Sequence, residues 1–135
     1  MSQKTVVTFG TFDLFHYGHL KILERAAAYG DRLIVGISSD QFNFEKKKKY
    51  PVFSEGHRME IVSAIRYVEG VFLEESFEKK REYLVEHQAD VFVMGDDWRG
   101  KFDEFKDICE VVYLERTPEL STTEYKSIIR NLLDS

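Results

Sequence analysis

The stretch Lys4-Thr5-Val6-Val7-Thr8-Phe9-Gly10-Thr11-Phe12-Asp13-Leu14-Phe15-His16-Tyr17-Gly18-His19 decides the architecture. Lys4 to Gly10 is β-branched and aromatic and stops at a glycine, as a strand covered on both faces does. From Tyr17 the period changes. Leu20, Leu23 and Ala27 form one apolar row and Ile22, Ala26 and Tyr29 a second beside it. That spacing predicts a helix closed near Gly30. A buried strand that passes through a short loop into an amphipathic helix is the opening unit of an α/β fold.

The same alternation continues downstream. Leu33 to Ser38 read as a second strand, Val71 to Leu73 as a third, Val91 to Met94 as a fourth and Val111 to Leu114 as a fifth. Between them, Glu55 to Tyr67 are expected to be helical with Ser54 as N-cap. Phe77 to His87 are expected to form an amphipathic helix with Phe77, Leu84 and Val85 inward, and the last helix should run from about Thr122 to Leu133. Asp40 to Phe53, which include the four lysines Lys46 to Lys49, show no clean period and read as a loop that orders over a ligand. The expected fold is a Rossmann-like parallel sheet with helices on both faces and right-handed crossovers. Ligands of such sheets sit beyond the carboxyl ends of the strands.

Composition bounds the function. At 135 residues, 43% hydrophobic and 32% charged, the chain reads as one globular domain, 1–135, and is too apolar to be disordered. Its net charge of −5 argues against a nucleic-acid backbone as partner. Cys109 is the only cysteine, which excludes an internal disulfide. No run approaches the ~20 apolar residues of a membrane helix. The first residues run directly into a strand without a secretory segment, so a cytoplasmic location is expected.

Two loops carry the chemistry. Gly10 permits close approach of a ligand to the backbone. His16 and His19, spaced i and i+3 around Gly18, share one face at the opening of a helix, where unpaired N–H groups and the dipole favour anions. Imidazoles there suit phosphate oxygens; a metal pair or two structural histidines are the alternatives, and Asp13 is the one nearby carboxylate to complete a metal site. At the other end of the chain, Ser121 and Glu124 fit a capping box. A cap needs one hydroxyl, yet Ser121, Thr122 and Thr123 stand in a row behind Arg116, a combination suited to a polyphosphate. If both helix ends open into one crevice, a nucleoside triphosphate bridges them.

The remaining signals are weaker. Gly95 to Lys101 match Gly-x4-Gly-Lys, but Phe102 replaces the magnesium-holding hydroxyl and Asp96 and Asp97 would repel phosphate, so a P-loop is rejected. A carboxylate in that loop can still accept from the amino group of a base. Arg58 and Arg66, at i and i+8, are expected to share a helix face, with solvation the default for each. Lys79, Lys80 and Arg81 read by composition as exposed.

Gly-Thr-Phe-Asp-Leu-x-His-x-Gly-His from Gly10, followed by Arg-Thr-x-x-x-Ser-Thr-Thr from Arg116, resembles the cytidylyltransferase family. Ile65 to Val68, Val91 to Trp98 and Glu110 to Leu114 extend the likeness over nearly the whole chain. The nearest resemblance is to the small bacterial members that make a teichoic acid precursor. His-x-Gly-His alone marks only the wider nucleotidyltransferase superfamily. The resemblance implies a five-stranded sheet, a homodimer, Mg2+, and CTP and glycerol 3-phosphate as substrates. It places Gly10, Thr11, Phe12, His16, His19, Lys48, Arg66, Asp97, Arg116, Thr117, Ser121, Thr122 and Thr123 with CTP, and Asp13, Lys46 and Lys80 with the acceptor. His16, His19, Lys46, Lys48 and Arg116 would act in catalysis, with no metal ligand assigned on the protein. Tyr17 stands where tryptophan is common, and Pro118-Glu119-Leu120 where glycine and isoleucine are usual. An adenylyltransferase, a cytidylyltransferase with another phosphorylated acceptor and a non-catalytic nucleotide-binding module remain the competing readings.

Overall fold

The computed structural model describes residues 3–116 and 121–134. Strands β1 (Thr5–Gly10), β2 (Arg32–Ser38), β3 (Gly70–Glu74), β4 (Val91–Gly95) and β5 (Glu110–Leu114) alternate with helices α1 (Tyr17–Ala27), α2 (Asp40–Lys47), α3 (Glu55–Ser63), α4 (Lys80–Glu86) and α5 (Thr122–Asp134). Two 3-10 turns, Asp96–Trp98 and Asp103–Asp107, replace a helix between β4 and β5. The strands form one parallel sheet in the order β3-β2-β1-β4-β5.

The period of two along each strand divides the core into two layers. Val6, Leu33, Val35, Ile37, Val91 and Val93 face Leu23 and Ala26 of α1 and Val62 of α3. Val7, Phe9, Phe92 and Met94 face Leu84 of α4 and Phe102 and Phe105 of the 3-10 segment. Each such buried side chain stabilises the fold by roughly 1.5–3 kcal/mol. Gly36 interrupts β2 because the Phe9 ring lies against it: a Cβ there would meet Phe9 at 2.5 Å and Phe72 at 2.8 Å. Phe102 is part of this second layer, which explains why a hydroxyl is missing from that place in the P-loop-like stretch.

Strand order reverses between β1 and β4, and ligands of such sheets bind beyond the carboxyl ends of the strands at that point. The Gly10–His16 loop and the Asp96–Trp98 turn leave the sheet there.

Three expectations are corrected. Asp40–Lys47 is a helix, not a loop. Ser39 caps it, its Oγ accepting from Phe42 N at 3.0 Å, and Lys46 and Lys47 in the last turn complement the dipole. Its buried residues are the adjacent Phe42 and Asn43, which leave no helical period to read. α3 ends at Ser63, with the Ala64 N–H closing the turn on Glu60 and Ile61, so Arg58 and Arg66 do not share a helix face. α4 starts only at Lys80. Leu84 is its buried apolar residue, while Phe77 and Val85 are exposed, and Lys80 is buried. Among the described residues no helix is long and apolar enough to cross a membrane.

Candidate active site

The loop after β1 is built tightly. A Cβ on Gly10 would lie 2.6 Å from the Phe12 ring. Phe12 and Leu14 take left-handed backbone angles, φ 54 and 50, a strain that persists only where surroundings impose it. Buried Asp13 supplies part of that constraint. Its Oδ2 accepts from Val52 N at 2.8 Å, and its Oδ1 from Phe53 N at 2.9 Å and Leu14 N at 3.1 Å. Lys126 of α5 approaches the same carboxylate at 3.8 Å. Asp13 therefore sits among backbone donors that fix the loop.

His16 is the N-cap of α1. Its Nδ1 accepts from Gly18 N at 3.1 Å, and the His16 N–H donates to His19 Nδ1 at 3.3 Å. This pairing is a capping box made of two histidines. With both Nδ1 atoms accepting, the neutral rings carry their hydrogens on Nε2. Both Nε2 atoms converge on Thr122 Oγ1 at the start of α5, from His16 at 3.0 Å and from His19 at 3.5 Å. The same hydroxyl donates to Asp13 O at 3.4 Å. Two acceptor lone pairs and one donor are thereby used in full. The imidazoles stack with centroids 3.8 Å apart, and Tyr125 lies 4.8 Å from His16.

Burial lowers the His19 pKa to about 3, helped by His16 beside it and partly opposed by Asp13. Burial also lowers that of His16. Near neutral pH the pair offers two uncharged N–H donors. Around it, Ser121 and Glu124 form the reciprocal capping box, with Glu124 N donating to Ser121 Oγ at 3.1 Å and Ser121 N to Glu124 Oε1 at 3.1 Å. Exposed Arg116 reaches Glu124 Oε1 at 3.3 Å. Thr123 is exposed on the first turn of α5. Thr117 lies outside the described residues. The N-termini of α1 and α5, remote in sequence, thus meet at one place.

A second cluster forms at the ends of β2 and β3. Thr11 Oγ1 donates to Asn43 Oδ1 at 2.8 Å, and Asn43 Nδ2 donates to Ser39 O at 3.0 Å. Lys46 Nζ lies 3.4 Å from Ser38 Oγ and 4.1 Å from the Phe42 ring centroid. It borders a cavity of about 400 Å³ lined by Phe42, Glu45, Lys46, Ser76, Phe77 and Glu78. Burial lowers the Lys46 pKa to about 8, with Glu74 opposing and Lys47, Lys80 and Arg58 assisting. Lys48, the left-handed C-cap of α2, is exposed. Lys80 is buried against Glu74 at 2.8 Å. Exposed Asp97 sits in the turn after β4, but Arg66 is not brought to the site: it precedes β3 at the amino ends of the strands and lies over the Tyr67 ring, whose hydroxyl donates to Glu24 late in α1.

Arg58 departs furthest from its reading as solvated. It is fully buried, and its guanidinium donates to Thr11 O (2.8 Å), Ser38 O (2.8 Å), Phe53 O (3.0 Å) and Asp40 Oδ1 (2.8 Å). It ties the ends of β1 and β2 to the 50s segment. The signal in the sequence was its i, i+4 relation to Val62, which places the arginine on the inward row of α3. Among the described residues no three His, Cys, Asp or Glu side chains converge as a metal site.

Residues 7–128 match the cytidylyltransferase-like family model. The chain is 54% identical over 130 residues to the glycerol-3-phosphate cytidylyltransferase of Bacillus subtilis (strain 168), covering 96% of this chain and 100% of that one. It is 48% identical over 124 residues to the enzyme of the same name from Staphylococcus aureus (strain NCTC 8325 / PS 47), covering 92% and 93%. Mouse ethanolamine-phosphate cytidylyltransferase is 35% identical over 121 residues, which are 85% of this chain and 30% of that protein. A crystal structure of a lipopolysaccharide core biosynthesis protein from Thermoplasma volcanium GSS1 superposes with a TM-score of 0.74 at 23% identity, over 86% of this chain and 99% of that one, and shares the fold. With its paired histidines and the first turn of its last helix joined above a reversed sheet, and with the family model spanning nearly its full length, the chain belongs to the cytidylyltransferase family.

Proposed function

We propose that the protein transfers a cytidylyl group from CTP to sn-glycerol 3-phosphate, forming CDP-glycerol and releasing pyrophosphate. The observation that carries this reading is the convergence of His16 Nε2, His19 Nε2 and Thr122 Oγ1 at the mouths of two helices, in a chain aligned along the whole length of a glycerol-3-phosphate cytidylyltransferase.

An oxygen of the acceptor phosphate attacks the α-phosphorus in line, and the bond to the pyrophosphate oxygen breaks. The acceptor is already ionised, so no protein nucleophile or general base is needed, and catalysis rests on alignment and charge neutralisation. The triphosphate replaces the Thr122 hydroxyl as acceptor for the two Nε2–H groups. The free N–H groups of α1 and α5 face the same anion. Thr11, Phe12, Asp97, Arg116, Thr117, Ser121 and Thr123 complete the nucleotide side, and Lys48 adds charge from the end of α2. Asp13 shapes the loop between the nucleotide and the acceptor. Lys46 and Lys80 neutralise the acceptor phosphate. Mg2+ carried by CTP would supply charge shielding for the leaving pyrophosphate, with waters filling most of its coordination sphere. The active form is a homodimer, to be checked by light scattering.

The test is pyrophosphate release across CTP, ATP, GTP and UTP, each with glycerol 3-phosphate, choline phosphate and ethanolamine phosphate. Release confined to CTP with glycerol 3-phosphate is expected. Preferred turnover of another pair would reassign the substrates, and CTP binding without turnover would mark a non-catalytic module.

A further inference from the structure

The acceptor half of the site contains a buried acid to which no role has been given. Glu74 ends β3, directly beside Ser38 at the end of β2, and is 2% exposed. Its Oε1 lies 3.4 Å from Ser38 Oγ, which in turn lies 3.4 Å from Lys46 Nζ. Its Oε2 is 2.8 Å from Lys80 Nζ and, apart from that ammonium, meets no donor among the described residues. Lys80 Nζ is otherwise surrounded by rings: Phe9 at 3.9 Å, Phe102 at 5.0 Å, Phe77 at 5.3 Å and Phe92 at 5.8 Å from their centroids. Lys46 shares Phe77 with it, at 5.3 Å.

We propose that Glu74 is a positioning residue of the acceptor-phosphate subsite: its carboxylate holds Lys80 as a charged ammonium inside an aromatic box and, through Ser38, sets Lys46 beside it. The proposal rests on the assignment of Lys46 and Lys80 to the acceptor. Two ammoniums on one carboxylate leave that trio with one excess positive charge, beside a cavity whose lining also carries Glu45 and Glu78. A dianionic phosphate monoester calls for such paired ammoniums; Lys46 lines the cavity half-buried, and Lys80 is buried. An ammonium enclosed by aromatic carbons sheds its proton unless a counter-ion is present. Burial does press the Lys80 pKa down, and Glu74 opposes it. Glu74 faces the pair from β3; Lys47 of α2 and Arg58 of α3 act on Lys46, Glu45 of α2 and Glu78 before α4 line the cavity that Lys46 borders, and β1 and β4 present Phe9 and Phe92.

The experiment is steady-state kinetics of Glu74→Gln in both substrates from about pH 6.5 to about 8.5, taken as a ratio to the parent at each pH so that the acceptor's own titration cancels. The expected KM for glycerol 3-phosphate rises about tenfold or more, the loss of one charge-assisted contact, and that for CTP stays within about twofold. The acceptor ratio should widen as pH rises. The double variant Glu74→Gln/Lys80→Arg should narrow it, because a guanidinium keeps its charge, and leave only the part that Lys46 contributes. If Glu74→Gln fails to fold, Glu74→Gln/Lys80→Met removes both charges, a change that cores tolerate, and should reproduce the acceptor defect. Equal changes in both KM values, an unchanged acceptor KM, or a ratio flat with pH would overturn the proposal. Should the parent release no pyrophosphate from CTP with glycerol 3-phosphate, the substrate assignment falls instead. Calorimetry of inorganic phosphate binding then decides on Glu74 separately, equal affinity in parent and Glu74→Gln counting against it.

Discussion

Replacing Arg58 by Met tests how the crevice is held open in one shape. Met preserves much of the stem volume and removes the guanidinium. Four contacts disappear at once: those to Thr11 O, Ser38 O and Phe53 O, and the ion pair with Asp40. A fully dry carbonyl deprived of its donor costs about 1–3 kcal/mol, and removing one member of a buried ion pair costs about 3–5 kcal/mol. These figures do not add, because Asp40 is one-third exposed and rehydrates, as do the partly buried carbonyls of Thr11 and Phe53. Ser38 O stays dry, with Asn43 Nδ2 at 3.3 Å as its remaining side-chain donor. The net loss is about 3–4 kcal/mol, a large part of the 5–15 kcal/mol of an ordinary domain. Urea unfolding followed by circular dichroism reads it as a lower midpoint at constant slope. Arg58→Lys, which keeps the charge but not the fork, should fall between parent and Met. A Met variant within about 1 kcal/mol of the parent would refute the clamp, since it would mean that the loop ends hold their geometry unaided.

The remaining predictions concern the histidines and the sheet. His16→Ala should lower kcat by two to three decades, about 2.7–4 kcal/mol of barrier, as loss of one preorganised donor does, and should also cost about 1 kcal/mol of stability as a lost cap. His16→Asn keeps a capping acceptor without the Nε2–H group, so thermal melts near the parent with activity as poor as His16→Ala would separate the two roles. Because the folded His19 pKa of about 3 lies below its unfolded value, the unfolded chain binds the extra proton between those limits. Stability should therefore fall as pH drops below about 6.5, by up to about 1.4 kcal/mol per unit from this group, and a His19→Gln variant melted across that range should lose this part of the slope. Gly36→Ala, which drives a methyl into Phe9, should cost about 1–3 kcal/mol in chemical denaturation, relieved by a smaller residue at position 9.

The two loops that meet at Thr122 were legible because their residues are contiguous. Two histidines around a glycine at a helix start, and three hydroxyls at another, announce themselves by spacing, and solid apolar runs announce a parallel sheet. Helix α2 was not legible, since a helix that buries two adjacent residues leaves no period of 3.6. Lys80 and Arg58 were misjudged for a related reason. Local composition prices a lone charge as exposed, whereas each here is buried by partners far along the chain: Phe9, Phe92 and Phe102 around Lys80, and Thr11, Ser38 and Asp40 around Arg58.

Sequence alone determined the five strands, the parallel sheet and the starts of the first and last helices, because propensity, periodicity and capping act over a few neighbouring residues. Only the tertiary structure decided that His16, His19 and Thr122 share one hydroxyl, and that Glu74 stands between two lysines. Those arrangements follow from strand order and from burial, in which free energy depends on which distant groups exclude water from a charge.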